Sequence, residues 1–265
     1  MADALIGYSG FVGSTLLRQR AFDAVYRSTN VGDIEGKSFD TIVCAGAPAQ
    51  KWRANAEPKA DRQQIEMLIG HLQSVSCTRM ILISTVDVFA SPDQVDESTT
   101  VEEAQLAPYG LHRRMLERFV QSSFDDHLVV RLPGLVGPGL RKNVVFDLLN
   151  DNNLDVIESR NIFQFYPMVN LWHDISIASH AGLSLVHLTA APVSVAEIAI
   201  EGTGEPFVNF LDASPVVYDM HTRHADLFGG VGLYQYSARE TFQAVRSYMQ
   251  SEAKALLADD GLMNT

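Results

Sequence analysis

The fold is decided by the first stretch of the chain, which reads Ala4-Leu5-Ile6-Gly7-Tyr8-Ser9-Gly10-Phe11-Val12-Gly13-Ser14. A short apolar run leads into three evenly spaced glycines, and helical spacing follows as far as Arg20. Glycines at this spacing between a strand and a helix let the backbone approach a diphosphate, whose charge the helix N-terminus stabilises. The alternative is a tight turn that needs glycine for its backbone angles and binds nothing. The placement favours a dinucleotide site, with the expected contacts Gly7, Ser9, Gly10, Phe11, Val12 and Gly13.

Length and composition limit the class of protein. The chain has 265 residues, of which 46% are hydrophobic and 20% charged, as in soluble globular proteins. The formal net charge of −12 disfavours a nucleic-acid partner, and no apolar run reaches the roughly 18 residues of a membrane span. Without a secretory signal, and with Cys44 and Cys77 inside apolar segments, we expect a cytoplasmic protein with reduced thiols. The histidines show no spacing typical of a metal site, so no metal is expected.

The apolar segments predict an α/β protein with a Rossmann-type doubly wound parallel sheet. Strands are predicted at residues 4–6, 23–27, 41–45, 80–84 and 127–132. Helices are predicted at residues 14–20, 61–75, 109–121, 144–149, 174–188 and 238–257. We expect a dinucleotide-binding core over 1–139, to which 170–200 return, and a smaller substrate lobe with a C-terminal helix over most of 140–265.

The end of the second predicted strand bears on the choice between NAD and NADP. An acidic residue at this point binds the ribose of NAD, whereas an arginine accommodates the 2′-phosphate of NADP. The chain has Arg27 there, followed by Ser28, and no carboxylate. We therefore expect NADP, with NAD as the alternative. A surface arginine beside a polar loop would give the same pattern.

Three further motifs carry a resemblance to a known family. They are Ile83-Ser84-Thr85-Val86-Asp87-Val88-Phe89, Pro108-Tyr109-Gly110-Leu111-His112-Arg113 and Arg131-Leu132-Pro133-Gly134-Leu135-Val136-Gly137-Pro138-Gly139. Together with the glycine turn, and in the same order, they resemble the extended branch of the short-chain dehydrogenases/reductases. This branch includes nucleotide-sugar epimerases, dehydratases and dehydrorhamnose reductases. The resemblance implies an NAD(P)-dependent oxidoreductase or epimerase acting on a nucleotide sugar or a similar polar carbonyl compound.

The resemblance also assigns roles to single residues. Tyr109 would be the acid–base, Thr85 would bond the substrate oxygen, and Arg113 stands where the family has a lysine that binds the nicotinamide ribose. Further cofactor contacts would come from Ala45, Gly46, Ala47 and Pro133. Because an arginine stays protonated, Arg113 could lower the pKa of Tyr109 but could not relay a proton. A second hypothesis is therefore a catalytically impaired dinucleotide-binding protein with a regulatory or structural role.

Substrate contacts are expected from two parts of the chain. Asp87 lies two residues after Thr85, so strand alternation places both side chains on one face. Dehydratase relatives have an acidic pair here, which Val86 leaves incomplete, so simple redox chemistry is favoured over dehydration. After Gly139, a group of cations, amides and aromatic rings would suit a sugar diphosphate, namely Arg141, Asn143, Tyr166 and Trp172. A solvated turn and core aromatics are the alternative. The family also implies a possible homodimer through helices 61–75 and 109–121.

Overall fold

The structure, a computed structural model, describes residues 2–254. Its α-helices are α1 Phe11–Gln19, α2 Lys51–Ala56, α3 Pro58–Leu72, α4 Pro108–Ser123, α5 Val144–Asn150, α6 Leu171–His180, α7 Val195–Thr203 and α8 Ala238–Ser251. Its strands are β1 Ala4–Ile6, β2 Ala24–Tyr26, β3 Ser38–Cys44, β4 Ser76–Thr85, β5 Asp93–Val95, β6 His127–Leu132, β7 Gly134–Val136, β8 Ile162–Phe163, β9 Phe165–Pro167, β10 Leu185–His187, β11 Val193–Ser194 and β12 Asp219–Met220. Among the described helices, none is both long and apolar enough to cross a membrane.

The core is a six-stranded sheet with the strand order β10-β6-β4-β3-β1-β2. Every adjacent pair in it is parallel. Strand β1 lies between β2 and β3, so the chain reverses the direction in which it adds strands at this point. In doubly wound sheets, ligands bind at the carboxyl ends of the strands beside such a reversal. The predicted fold class is confirmed.

Apolar layers cover both faces of the sheet, which explains the apolar runs at residues 42–44 in β3 and 80–83 in β4. Helices α3 and α4 pack on one face through Ile65, Leu68, Leu72, Leu116 and Val120. Helices α1 and α6 pack on the other through Leu16, Leu171, Ile175 and Ala178. A separate apolar cluster joins α5, α7, α8 and β9. The boundary between core and lobe at residue 139 stays a prediction.

The predicted helix 174–188 is wrong in its second half. Helix α6 ends at His180, Gly182 has a left-handed φ of 70°, and Leu185–His187 pairs with β6 as strand β10. The apolar residues at the end of the predicted helix form an edge strand instead, because the edge of the sheet offers unpaired backbone groups to which they can hydrogen-bond. Helix α8 begins at Ala238 as predicted and ends at Ser251. The predicted residues 255–257 lie outside the described part of the chain.

A buried ion-pair network fixes α4, the helix that carries Tyr109, to the sheet. The fully buried carboxylate of Glu117 accepts hydrogen bonds from the Arg131 guanidinium at 2.9 and 2.7 Å and from the Ser84 hydroxyl at 2.6 Å. Arg114 donates a further bond at 2.9 Å. Burial alone would raise the pKa of Glu117, but the bonds and charge of Arg131, with the other donors, hold that pKa below its usual value. The carboxylate therefore stays ionised and ties α4 to β4 and β6.

Removal of this carboxylate should destabilise the protein strongly. We expect Glu117→Ala to lower the free energy of unfolding by about 3–5 kcal/mol, because it leaves the buried Arg131 charge without its partner. Chemical denaturation followed by circular dichroism measures this change. The control is Glu66→Ala, which removes an exposed pair with Arg62 on α3 and should cost at most about 0.5 kcal/mol. Similar small losses for both variants would contradict the assignment.

Candidate functional site

The three glycines of the first turn have different structural roles. Gly7 has a φ of 87°, and a Cβ on it would lie 2.2 Å from the Ala45 carbonyl oxygen. A Cβ on Gly13 would lie 2.0 Å from the Gly7 carbonyl oxygen. Both positions therefore need glycine for packing. A Cβ on Gly10 would make only an ordinary contact at 3.5 Å, so nothing within the described fold requires glycine at this position.

Gly10 is also the N-cap residue of α1. No side chain caps this helix, so its first backbone N–H groups and the positive end of its dipole face outward. The exposed Ser9 and the partly buried Phe11 and Val12 lie on the same turn. The loop 45–47, at the carboxyl end of β3, borders it through the contact with Gly7. This surface fits the diphosphate of a dinucleotide.

Arg27 directly follows β2 beside the glycine turn. The Gly7 amide donates to the Tyr26 carbonyl oxygen at 2.7 Å, which joins the end of β2 to the turn. The Arg27 side chain is exposed, and its Nε donates to the Thr29 hydroxyl at 3.0 Å. Within residues 2–254, its guanidinium forms no salt bridge. A cation in this place can contact a phosphate on the adenosine ribose.

Tyr109 and Thr85 come together at the carboxyl end of β4. The Thr85 side chain lies close enough to the Tyr109 phenol to lower its pKa, and the Tyr109 amide donates to Asn55 Oδ1 at 3.0 Å. Gly110 makes this approach possible, because a Cβ on it would lie 2.0 Å from the Asp87 carbonyl oxygen. Pro133 lies beside the pair, since it follows Leu132, the partner of Thr85 in the sheet register.

The pKa of the Tyr109 phenol is set by opposing influences. Only 8% of the residue is exposed, and this burial raises the pKa. The positive charge of Arg113 lowers it, the negative charge of Asp87 raises it, and the Thr85 side chain and the Lys51 charge lower it. The net direction is upward from the usual value near 10. The phenol is therefore protonated at neutral pH.

Arg113 lies next to Tyr109 as expected, but its charge is paired. Its Nη1 and Nη2 donate to the two carboxylate oxygens of Asp61 in α3 at 2.5 and 2.9 Å, and Nη2 also donates to the Pro48 carbonyl. The guanidinium carbon lies 4.0 Å from the centre of the Tyr109 ring. His112 makes a further contact to Asp61, with Nδ1 and Oδ2 2.6 Å apart. Only Nε of Arg113, which is buried, has no hydrogen-bond partner among the described residues.

Burial raises the pKa of Asp61, but its bonds to Arg113 and His112 bring the pKa below the usual value. The arginine charge is therefore balanced by an ionised carboxylate.

Besides Asp61, two further residues of the site are absent from the sequence-based expectations. Lys51, the first residue of α2, donates from Nζ to Asp87 Oδ1 at 2.7 Å and to the Tyr218 hydroxyl at 2.9 Å. The Tyr218 hydroxyl donates to the same Asp87 oxygen at 3.0 Å. The other Asp87 oxygen lies 3.4 Å from the Thr85 hydroxyl. Lys51 and Tyr218 are 167 positions apart, so no local spacing could indicate them.

Two of the predicted substrate residues are wrong. Tyr166 is fully buried, and its hydroxyl donates to the Asp174 carboxylate at 2.5 Å. The Trp172 ring packs against the Arg20 guanidinium at 4.3 Å, and Arg20 pairs with Asp3 just before β1. Trp172 thus lies where the strands begin, at the edge opposite Thr85. These aromatic side chains fill and border the core instead of binding a ligand.

The other two predicted substrate residues lie in the segment that leads into α5. Asn143 caps this helix, with Oδ1 accepting from the Val145 amide at 3.0 Å and Nδ2 donating to the Leu135 carbonyl at 2.8 Å. Both ends of its amide are therefore occupied by the protein. Arg141 is exposed. The neighbouring Lys142 reaches the Ala49 carbonyl, which brings this segment to the loop after β3.

The comparisons with known proteins agree with this architecture. The model of the NAD dependent epimerase/dehydratase family matches residues 24–155 of the chain. The predicted resemblance is confirmed. No curated protein sequence matches the chain.

Several solved structures share the fold at low sequence identity. A UDP-N-acetylglucosamine 4-epimerase from Methanobrevibacter ruminantium, in complex with UDP-N-acetylmuramic acid, has a TM-score of 0.73 at 13% identity, with 94% of this chain and 97% of that chain covered. MoeE5 in complex with UDP-glucose and NAD has a TM-score of 0.71 at 15% identity, with 94% and 99% covered. A dTDP-4-dehydrorhamnose reductase from Clostridium acetobutylicum has a TM-score of 0.70 at 15% identity, with 94% and 99% covered.

The glycine turn yields a matched pair of variants. We expect Gly13→Ala to lower the free energy of unfolding by about 1–3 kcal/mol, because the added methyl group overlaps the Gly7 carbonyl. We expect Gly10→Ala to cost less than about 1 kcal/mol but to weaken dinucleotide binding, because its methyl group enters the space that a diphosphate needs. Denaturation and calorimetric titration with NADPH measure the two effects. A Gly10→Ala protein that binds NADPH as tightly as the parent would contradict this role.

Proposed function

We propose that this protein is an NAD(P)-dependent oxidoreductase or epimerase that acts on a nucleotide sugar or a similar polar carbonyl compound, with NADP as the preferred cofactor. The observation that carries the proposal is the Thr85–Tyr109 hydroxyl pair at the carboxyl end of β4. The glycine turn with its uncapped helix lies two strands away in the same sheet. The family match supports the cofactor class, as do related folds solved with NAD and UDP-glucose or with NADPH.

The residues of the site suit proton transfer coupled to hydride transfer. The nicotinamide, when bound, would supply or accept the hydride. In reduction, the Tyr109 phenol donates its proton to the substrate oxygen, and the Thr85 hydroxyl bonds the same oxygen and orients it. In oxidation, the proton moves in the opposite direction. The glycine turn and the N-terminus of α1 would hold the diphosphate, and Arg27 with Ser28 would hold the ribose phosphate.

A second candidate function follows from Arg113. Its guanidinium is bonded to Asp61 and to the Pro48 carbonyl, which leaves Nε as its one unpartnered donor among the described residues. An arginine held in this way contributes less to binding the nicotinamide ribose than a free lysine would. This observation favours a dinucleotide-binding protein with impaired catalysis, whose role would be regulatory or structural.

Substrate contacts, assembly and location complete the proposal. Of the predicted substrate residues, Asp87 lies in the Thr85–Tyr109 cluster, and Arg141 remains a candidate for a sugar diphosphate because it is exposed.

A homodimer through α3 and α4 is supported by Met67, which is 60% exposed on α3. A cytoplasmic location is supported by Cys44 and Cys77, which are both free thiols.

The choice of NADP can be tested at Arg27. We expect the parent protein to bind NADPH more tightly than NADH, and we expect Arg27→Ala to reduce this preference about tenfold or more through loss of a charge-assisted hydrogen bond. Calorimetric titration with both cofactors measures the ratio. Arg62→Ala, on the exposed face of α3, is the control for loss of one positive charge. Equal affinities of the parent for both cofactors would contradict the assignment.

The acid–base role can be tested at Tyr109. We expect Tyr109→Phe to reduce turnover about 10²- to 10⁴-fold with little change in NADPH affinity, because the phenol proton is used in the reaction. NADPH oxidation with a panel of nucleotide-4-ketosugars measures turnover, and calorimetry measures affinity. Tyr234→Phe, which removes a hydroxyl bonded to Asp219, is the control. Normal turnover of Tyr109→Phe on a confirmed substrate would refute the assignment. Binding of NADPH by the parent without turnover of any substrate would favour the second candidate.

A further inference from the structure

Two ion pairs flank the Tyr109 side chain. On the face of its ring lies the Arg113–Asp61 pair, in which the arginine is 3% exposed. On the side of Thr85 lies the Lys51–Asp87 pair, with an ammonium-to-carboxylate distance of 2.7 Å. The first pair is built from α3 and α4. The second joins α2 to the turn after β4.

The Asp87 carboxylate is unfavourable for a phenol that must transfer a proton. A negative charge near a phenol disfavours the phenolate, so it opposes the ionised form on which proton exchange depends. Asp87 lies 3.4 Å from the Thr85 hydroxyl, and both residues act on the pKa of Tyr109. The negative charge of Asp87 therefore acts directly on the proton that the proposed reaction moves.

Lys51 is placed to cancel this charge. Its ammonium bonds Asp87, and its side chain is 47% exposed while that of Asp87 is 18% exposed, so water screens the pair only in part. Burial lowers the pKa of Lys51, but the charge and bond of Asp87, with the bond to Tyr218, raise it overall. The ammonium therefore keeps its charge throughout the neutral range and acts as a fixed counter-charge.

Tyr218 keeps the pair in one arrangement. Its hydroxyl accepts a hydrogen bond from Lys51 and donates one to Asp87. It precedes strand β12, which pairs with β5 in the segment after β4, so its backbone is held from a part of the chain far along the sequence. This three-way contact leaves one Asp87 oxygen directed towards Thr85.

We propose that Lys51 is a positioning residue that controls proton transfer at Tyr109 by neutralising Asp87, with Tyr218 holding the ion pair in place. The inference rests on the proposed function, because it gives Tyr109 a proton to transfer. Lys51 acts through Asp87 and not through contact with the cofactor. It supplies a counter-charge that Arg113, already paired with Asp61, does not supply to Asp87.

The prediction concerns a titration, so all charged and titratable groups around Tyr109 matter. Those on its own helix are His112 and Arg113. Those on other packed elements are Lys51, Asp61, Asp87, Lys142 and Tyr218. Only Lys51 and Asp87 are changed in the main experiment. The Arg113–Asp61 pair stays intact as a constant background.

The experiment places 3-fluorotyrosine at position 109 and follows its ionisation by ¹⁹F NMR. The fluorine acidifies the phenol, which brings its titration closer to an accessible pH range. We expect Lys51→Met to raise the pKa of this phenol by about one unit or more, because the carboxylate then acts without its counter-charge. We expect Asp87→Asn to lower it, and the double variant to return it close to the parent. Lys51→Arg, which retains a cation, should also stay close to the parent.

This design separates an electrostatic role from a structural one. A structural disturbance would shift both single variants in the same direction and the double variant further, which would overturn the proposal. An unchanged pKa in Lys51→Met would overturn it as well. Lys59→Met, on the exposed start of α3, is the matched control and should leave the titration unchanged. If Lys51→Met does not fold, the double variant Lys51→Met/Asp87→Asn is compared with Asp87→Asn alone. A higher phenol pKa in the double variant would support the counter-charge. A phenol pKa that is not higher would contradict it.

The measurement also separates this inference from the proposed function. The NMR titration needs neither substrate nor cofactor, so it can be read even if no nucleotide sugar is turned over. Where turnover is found, the apparent pKa that Tyr109 contributes to the pH dependence of kcat should shift to higher pH in Lys51→Met. The KM for NADPH should stay within about twofold of the parent value. A lower kcat with an unchanged pH profile would contradict the inference and leave the proposed function standing.

Discussion

The carbonyl oxygen of Asp87, in the turn after β4, lies so close to the first turn of α4 that position 110 has no room for a side chain. Because a Cβ on Gly110 would lie 2.0 Å from the Asp87 carbonyl oxygen, the helix can approach the sheet only with glycine at that position. This approach brings Tyr109 to Thr85. Further along the same helix, the buried Glu117–Arg131 pair ties α4 to β6. The geometry of the candidate site thus depends on one close backbone contact and one buried ion pair.

The charges around Tyr109 show how an arginine can stand where the family resemblance implies a lysine. A guanidinium is longer and planar, and it binds a carboxylate through two parallel bonds. Asp61 in α3 provides that carboxylate. A buried cation without such a partner would be costly, so Arg113 and Asp61 form one functional unit. As a consequence, the positive charge of Arg113 lies over the face of the Tyr109 ring and is balanced by Asp61. The electrostatic potential beside the phenol oxygen then depends on Lys51 and Asp87.

The sequence predicted the parts of this site that depend on local pattern. The glycine turn, the strand that ends at Thr85 and the helix that carries Tyr109 in its first turn each follow from spacing within a few residues. Lys51, Asp61 and Tyr218 could not be predicted, because only the folded sheet brings α2, α3 and a late loop to β4. Tyr166 and Trp172 were misassigned, since an aromatic residue has the same pattern whether it fills a core or binds a sugar. The predicted helix 174–188 failed where sheet pairing overrode helical spacing.

The protonation state of Tyr109 bears on the direction of the proposed reaction. Burial raises the pKa of the phenol and the nearby Arg113 only partly opposes this, so at neutral pH the resting group is a proton donor. A donor suits the reduction of a carbonyl, in which the substrate oxygen gains a proton, better than the oxidation of an alcohol, which begins with proton removal. Arg27, exposed beside the glycine turn, suits the phosphorylated cofactor independently of this argument. Within the proposed function, Tyr109 is therefore ready to act as an acid in a reduction and must first lose its proton to act as a base in an oxidation.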